Sequence, residues 1–132
     1  MGMRIGELAK SAQTRVDTIR FYERVGLLPK AARTASNYRT YSGIHIERLA
    51  FIRRCRGLDM SLGEIRELLK FCDEPHLKCR AVNELVDRHI NEVESRIVEL
   101  QKLARELRRL GSICRTPSRA KDCQVLQALR AS

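Results

Sequence analysis

The feature that most constrains this chain is the segment Lys78–Leu110, which contains neither proline nor glycine. Its apolar residues recur in alternating steps of four and three, which is the heptad seam of a coiled coil. They are Val86, Ile90, Val93, Ile97, Leu100, Ala104 and Leu107. The pattern predicts a single helix of ~30 residues and ~45–50 Å. Because too little chain remains to cover this stripe, we expect the helix to pair with a second copy in a homodimer.

The first part of the chain predicts two short helices joined by a tight polar turn. The first covers Arg4–Ala12, where apolar residues recur at helical spacing. Thr14 and Asp17 have the spacing of a capping box, which would open a second helix with Thr14 as its N-cap. That helix is expected to run to Val25, with Gly26 as its left-handed stop. The pattern fits a helix-turn-helix, and it also fits any small helical hairpin.

The segment that follows favours a small β wing and then two further helices. Residues 28–41 are rich in turn formers and end in Asn37–Tyr41, which favours extended structure. A third helix is predicted from about residue 42 to 57, and a second capping box at Ser61–Glu64 opens a fourth. The predicted inward residues are Ile46, Leu49 and Ile52 on the third helix, and Ile65, Leu68 and Leu69 on the fourth. The segment 73–75 ends the fourth helix and forms a linker.

The positive charge of the chain is concentrated in its first half. Residues 1–57 hold 12 basic and 4 acidic side chains, a net charge of +8, and residues 58–132 hold 14 and 12, a net of +2. Such an excess suits DNA phosphates, although a membrane surface or an acidic protein would also fit. With no apolar run of ~20 residues and no leader, we expect a cytoplasmic protein that does not enter membranes. In that compartment the five cysteines are expected to be thiols or metal ligands.

Five stretches of the sequence resemble the MerR family of metal-responsive transcription activators. Three of them are Arg-Ile-Gly-Glu-Leu-Ala at 4–9, Thr18–Pro29 with its Ile-Arg-Phe-Tyr-Glu block, and Asn-Tyr-Arg-Thr-Tyr at 37–41. The other two, Glu47–Met60 and Val82–Ile90, resemble the lead- and cadmium-responsive branch in particular. The resemblance extends over nearly the whole chain.

The resemblance implies a mainly α fold in three parts. These are a winged helix-turn-helix DNA-binding domain (1–75), a dimerisation helix in an antiparallel coiled coil (76–111), and a metal-binding loop with a short C-terminal helix (112–132). It also implies a homodimer on double-stranded promoter DNA whose −35 and −10 elements are too widely spaced. On binding metal, such a dimer distorts the promoter so that the bound RNA polymerase starts transcribing metal-resistance genes.

Seven residues are the candidate DNA contacts. Arg15 and Thr18 lie near the start of the second helix, where recognition helices usually reach base edges. The family resemblance implies backbone contacts from Arg20 and Tyr22 on that helix, and from Tyr38 and Arg39 in the wing. Arg33 is a further phosphate candidate because of its place in the wing. Phe21 and Tyr41 are expected in the core.

Three cysteines are the candidate metal ligands. Cys79 stands at the start of the predicted long helix, and Cys114 and Cys123 bracket an eight-residue loop after its end. Thiolates bind soft and borderline ions such as Pb(II), Cd(II), Hg(II) and Zn(II). A loop with a thiolate at each end can close around one ion whose third thiolate comes from elsewhere. The resemblance implies this ligand set in divalent-ion sensors, whereas the monovalent-ion sensors carry Ser where Cys79 stands.

The choice of metal ion is less constrained. The loop 115–122 contains no His, Glu or additional Cys, and zinc usually takes four protein ligands or three plus water. Three thiolates alone suit Pb(II), whose lone pair occupies the fourth direction, and also Hg(II). The resemblance adds that lead- and mercury-type members have a loop of this length, that cadmium-type members have a shorter one, and that zinc-type members carry more Cys and His. We rank Pb(II) first and Cd(II) and Hg(II) behind it, with Zn(II) as a further alternative.

The remaining cysteines and histidines carry other expectations. Cys55 lies among apolar residues and is expected to be a small core residue. Cys72 is either an accessory metal ligand or a buried thiol. His76 is expected to be a surface linker residue, and His89 is expected to pack or hydrogen-bond across the dimer.

Three other functions fit parts of the sequence. A constitutive architectural DNA-binding protein with a structural metal would share the basic half but would ignore added metal. An iron–sulfur redox sensor needs four cysteines clustered in the C-terminal loop, where only two occur. A thiol enzyme needs a nucleophile–base pair, and no signature of one is present, so the chain is predicted not to be an enzyme.

Overall fold

The structure, a computed structural model, describes residues 2–115 and 119–131. The chain divides into two compact units, Met1–Asn83 and Glu84–Ser132. The elements in chain order are the helices α1 (Ile5–Ala12) and α2 (Val16–Arg24), the strands β1 (Ala32–Arg33) and β2 (Arg39–Thr40), the helices α3 (Gly43–Gly57), α4 (Leu62–Asp73) and α5 (Arg80–Ser112), a short 3-10 turn (Ala120–Asp122) and the helix α6 (Gln124–Arg130). The predicted mainly α class is confirmed.

An apolar core holds the first unit together. Its buried members are Leu8, Ala12, Ile19, Leu28, Tyr41 and Leu49. Through these side chains α1 contacts both α2 and α3. Burying one large aliphatic side chain stabilises a fold by roughly 1.5–3 kcal/mol before chain entropy is subtracted. On α2, Ile19 is fully buried and Val16 half-buried, so these two residues pack inward.

The start of α2 differs from the prediction, whereas its end agrees with it. Arg15 is the N-cap residue and no side chain caps the helix, so the assignment of Thr14 as N-cap is wrong. The Thr14 hydroxyl donates instead to the carbonyl of Ala12 at 3.0 Å, which engages it with the end of α1. Beyond α2, Gly26 has a φ of 82°, which confirms the predicted left-handed stop.

The predicted wing is present as a two-stranded antiparallel hairpin. Ala32 pairs with Thr40 and Arg33 with Arg39. Asn37 turns the chain with a φ of 65°, a left-handed conformation that asparagine tolerates better than most residues. Met3 and Tyr41 also form a bridge, with a backbone hydrogen bond of 2.8 Å in each direction. The start of the chain is thereby fixed to the end of the wing.

The helices α3 and α4 complete the first unit, and the predicted capping box at the start of α4 is confirmed. Ser61 Oγ accepts from the Glu64 amide at 3.1 Å, and the Glu64 carboxylate accepts from the Ser61 amide at 2.9 Å. The predicted inner residues are buried, apart from Ile46, which is half-buried. The buried ones are Leu49, Ile52, Ile65, Leu68 and Leu69. As expected, α4 ends at Asp73.

A bidentate ion pair connects α3 to the end of α4. Arg48 donates to both carboxylate oxygens of Asp73, at 2.6 and 2.9 Å, and also to the Leu27 carbonyl at 3.2 Å. The hydrogen bonds from Arg48 lower the pKa of Asp73. The same contact raises the pKa of Arg48. The pair therefore favours the charged form of both groups and ties the end of α4 to α3.

The predicted long helix is α5, which has 33 residues. It runs through Gly111 to Ser112, two residues past the glycine-free segment Lys78–Leu110 from which it was predicted. Glycine costs only about 1 kcal/mol relative to alanine within a helix, which a continued backbone hydrogen-bond pattern can offset. Ser112 Oγ also donates to the Arg109 carbonyl at 2.7 Å within the last turn.

The apolar stripe of α5 is largely open to solvent in the single chain. Its exposed members are Val86, Ile90, Val93, Ile97, Leu100 and Leu107, and Ala104 is half-buried. Exposed apolar surface in a continuous stripe is costly in water and is typical of a surface that another protein covers. Among the described residues, no helix has the length and hydropathy that crossing a membrane requires.

Candidate DNA-binding surface and metal-ligand set

The exposed surface of the helix α2 carries basic side chains. Arg15 at its N-cap and Arg20 on its second turn are exposed, and Thr18 is half-buried. Tyr22 packs partly against the core, and its carbonyl accepts from the Leu27 amide at 2.9 Å. The predicted contacts of this helix lie on more than one side of it, since Arg20 lines a cleft with the wing whereas Thr18 and Tyr22 line a separate groove.

A basic cleft of about 490 Å³ lies between α2 and the wing. Its lining residues are Arg20, Glu23, Arg24, Lys30, Ala31, Arg33 and Arg39. Five of these seven residues are cationic at neutral pH, and one, Glu23, is anionic. Such a concentration of cations around a cleft raises the local concentration of phosphate groups and releases counterions when a nucleic acid binds. The cleft is a candidate site for the DNA backbone.

The wing side chains are held by local contacts. The Arg33 guanidinium donates to the backbone carbonyl of Asn37 at 3.2 Å and to its side-chain oxygen at 3.3 Å. Tyr38 is 56% exposed, and the Arg4 guanidinium lies 4.7 Å from its ring centroid. Arg39 is exposed on β2 and lines the cleft. The three predicted wing contacts are thus accessible, although Arg33 would have to exchange part of its bonding to Asn37 for a phosphate.

Glu23 and Tyr41 form a hydrogen bond between α2 and the end of the wing. The Tyr41 hydroxyl donates to the Glu23 carboxylate at 2.6 Å, and the Tyr41 ring is almost completely buried. Burial and the Glu23 carboxylate together raise the pKa of Tyr41 to about 12. The hydroxyl therefore remains a donor throughout the physiological pH range. Tyr41 belongs to the core, as predicted, whereas Phe21 is only half-buried.

Sequence reasoning missed three charged residues of the cleft. Glu23 and Arg24 belong to the quoted Thr18–Pro29 block, and Lys30 follows it directly. Arg24 and Lys30 could have been identified from the local excess of basic residues alone. The role of Glu23 had no signal in the sequence, because its partner Tyr41 lies 18 residues further along the chain.

All five cysteines carry thiols in the structure. Cys79 is exposed and immediately precedes α5, where its carbonyl accepts from the Asn83 amide at 3.1 Å. Cys114 follows the end of α5, Cys123 is the N-cap residue of α6, and both are partly exposed. Cys114 and Cys123 belong to the same compact unit, whereas Cys79 belongs to the other. Thr116, Pro117 and Ser118 of the predicted metal-binding loop lie outside the described residues.

The chemistry of these three thiols fits a soft divalent ion. Each of them has exposed surface, and negative charge is favoured at the N-terminus of a helix, which is where Cys79 lies. Cys55 has the predicted core position, and burial raises the pKa of its thiol, which makes it a poor ligand. Cys72 is exposed, so the alternative that it is a buried thiol is wrong.

The two histidines differ in exposure. His76 is exposed, as predicted for a linker residue. His89 is 8% exposed in the single chain, and its Nδ1 lies 3.8 Å from the Glu92 carboxylate. The expected contact of His89 across a dimer stays a prediction.

The helix-turn-helix, the wing and the basic cleft define a winged helix-turn-helix DNA-binding protein with a long helix after that domain. Two family models match this arrangement. The MerR HTH family regulatory protein model matches residues 3–72, and the MerR DNA-binding model matches residues 46–110. The chain therefore belongs to the MerR family, which confirms the membership expected from its sequence.

Individual relatives agree with this assignment. The lead(II) complex of the transcription regulator PbrR691 from Ralstonia metallidurans CH34 is 50% identical, covers 96% of this chain and 98% of its own, and has a TM-score of 0.87. The HTH-type transcriptional regulator ZntR from Escherichia coli K12 is 42% identical over 96% of this chain and 91% of its own length. The mercuric resistance operon regulatory protein from Bacillus cereus is 36% identical over 98% of both. The chain is a metal-responsive transcription regulator of the MerR family.

Proposed function

We propose that this protein is a promoter-bound homodimer that activates metal-resistance genes when it binds Pb(II) through Cys79, Cys114 and Cys123. The donor set carries this proposal. Between Cys114 and Cys123 the sequence offers no His, Glu or additional Cys, so the loop adds no nitrogen and no further sulfur ligand. Three thiolates suit an ion that needs only three strong donors, and Zn(II) usually takes a fourth.

The relatives support lead ahead of the alternatives. The 50%-identical regulator was solved in complex with lead(II), and the match extends over almost the full length of both chains. The regulator ZntR and the mercuric resistance operon regulatory protein are less similar, at 42% and 36% identity. Cd(II), Hg(II) and Zn(II) are the competing effectors, and the experiments below separate them from Pb(II).

The dimer and the shared site follow from the length of α5. A helix of 33 residues is about 50 Å long, and Cys79 precedes its first residue while Cys114 follows its last by two. Metal–thiolate bonds are about 2.3 Å long for zinc, and other soft ions require a similarly close approach. One straight helix cannot bring both sulfurs to one ion. An antiparallel pair of α5 helices, joined along the exposed stripe, would place Cys79 of one chain beside Cys114 and Cys123 of its partner.

On the DNA side, we assign base contacts to Arg15 and Thr18 and backbone contacts to Arg20, Tyr22, Arg33, Tyr38 and Arg39. Metal binding would stabilise a distorted promoter that suits RNA polymerase, because a protein can offset the cost of deforming DNA with added contacts. A constitutive architectural protein is the second candidate function. Its affinity for DNA and the shape of the bound DNA would not depend on metal.

The test of the metal site is titration of the reduced, metal-free dimer with Pb(II), followed by thiolate-to-lead charge-transfer absorption. We expect one ion per chain, bound by three thiolates, and loss of the band in Cys79→Ser. Cys72→Ser tests the remaining alternative for the other exposed cysteine, because an unchanged band in this variant would exclude Cys72 as an accessory ligand. A band that survives in Cys79→Ser would overturn the three-thiolate site, and equal competition by Zn(II) would overturn the preference for lead.

A further inference from the structure

The basic cleft contains a carboxylate at a position where charge alone would disfavour it. Glu23 lines the cleft together with Arg20, Arg24, Lys30, Arg33 and Arg39. A phosphate entering this cleft would be repelled by Glu23 at short range. If the cleft served only to attract DNA, a neutral or basic residue would suit the position better. The carboxylate therefore needs another explanation.

A hydrogen bond from Tyr41 to Glu23 explains the presence of this carboxylate. The Glu23 carboxylate accepts the Tyr41 hydroxyl at 2.6 Å, and the Tyr41 ring packs in the core beside the His45 ring, with centroids 5.1 Å apart. Tyr41 directly follows β2, which carries Arg39. Glu23 also lies on α2, three residues or about one helical turn after Arg20. One charge-assisted hydrogen bond thus joins the recognition helix to the base of the wing.

We propose that Glu23 is a positioning residue that fixes the wing relative to α2, so that Arg20 and Arg39 reach the DNA backbone together. This inference rests on the proposed function in so far as α2 and the wing bind DNA. Two arginines on separate elements contribute their full binding free energy only when the distance between them is already fixed in the free protein. Otherwise part of that free energy is lost to the entropy cost of ordering them on the DNA. Since the pKa of Tyr41 is about 12, its donor proton is retained at physiological pH.

Three variants separate positioning from charge. Tyr41→Phe removes the hydroxyl and keeps the buried ring, and Glu23→Ala removes the acceptor. Glu23→Gln keeps an acceptor oxygen but removes the negative charge. The matched control is Glu47→Gln, which changes the net charge equally at an exposed position on α3 outside the residues that line the cleft.

The experiment measures binding of each metal-free variant to a duplex selected by the wild-type protein from a random library. Affinity is measured over a range of salt concentrations, together with the melting temperature of the protein. For Tyr41→Phe and Glu23→Ala we expect affinity to fall about tenfold and the slope of log K against log salt to decrease by about one, as for one lost phosphate contact. Glu23→Gln should recover most of the affinity, and Glu47→Gln should match the wild type.

Two results would overturn the inference. One is an unchanged salt slope in both Tyr41→Phe and Glu23→Ala, whether or not their melting temperatures fall, because a purely structural bond would not alter the number of phosphate contacts. The other is a Glu23→Gln variant that binds as weakly as Glu23→Ala. The DNA-binding experiment contains no metal, so a negative result in it would not contradict the proposed response to Pb(II). A negative result for Pb(II) would likewise leave the DNA-binding result interpretable.

Discussion

Mixing two inactive variants tests whether the metal site is shared between chains. The first variant is Cys79→Ser and the second is Cys114→Ser, Cys123→Ser. With α5 at about 50 Å, a site within one chain would need Cys79 and Cys114 to be displaced by tens of ångströms, whereas a site between antiparallel partners needs no unfolding of the helix. In a mixed dimer, the shared-site arrangement leaves one site with all three thiolates and one with none.

The assay is Pb(II) stoichiometry on the heterodimer, isolated through two different affinity tags. We expect about one tightly bound ion per heterodimer, two per wild-type dimer carrying the same tags, and none for either variant alone. The absence of a tightly bound ion in a correctly formed heterodimer would refute the shared site. Two ions per heterodimer would refute the three-thiolate ligand set as well.

Three further predictions concern DNA binding, stability and assembly. Arg20→Ala should weaken DNA binding and lower the salt slope by about one without altering Pb(II) affinity, and an unchanged slope would remove Arg20 from the backbone. Asp73→Asn should destabilise the fold at pH 7 by at most about 1 kcal/mol, since the Asp73 side of its ion pair with Arg48 is solvent-exposed. The pKa of Asp73 is lower in the folded than in the unfolded protein. The stability difference between the wild type and Asp73→Asn should therefore be fully present above the unfolded-state pKa of about 3.9, and it should disappear as the pH falls through the folded-state pKa. A difference in unfolding free energy that does not change with pH would contradict this assignment. Ile97→Glu should make the dimer dissociate in sedimentation experiments, whereas Val98→Glu, exposed but off the stripe, should not, and equal behaviour of the two variants would count against the stripe as the interface.

Local features of the fold were predictable where the deciding contacts lie within a few residues. The capping box of Ser61 and Glu64 is such a case, because both of its hydrogen bonds span three residues. Thr14 has the same sequence signal but fails, since its hydroxyl bonds backwards to Ala12 and leaves the N-cap to Arg15. A capping-box pattern indicates only that a side chain is able to cap the helix. Whether the side chain does so depends on the other hydrogen-bond partners within its reach.

The candidate site was predictable to the extent that single residues reveal their chemistry. Cys79, Cys114 and Cys123 can be proposed as soft-metal ligands from residue type and spacing, and the length of α5 then argues for two chains. The link between Glu23 and Tyr41 was not predictable, because it joins elements that only the tertiary fold brings together. The same holds for the cleft, whose lining residues come from α2, the wing and the segment between them.

Transcription from the native promoter with purified RNA polymerase tests the central claim most directly. The reactions contain wild-type protein or its Cys79→Ser variant and a series of buffered Pb(II), Cd(II), Hg(II) and Zn(II) concentrations. We expect Pb(II) to raise wild-type transcript levels at the lowest free concentration of the four ions, and the variant not to respond. Activation by Zn(II) at equal or lower free concentration, or transcription that no metal alters, would contradict a lead-responsive activator.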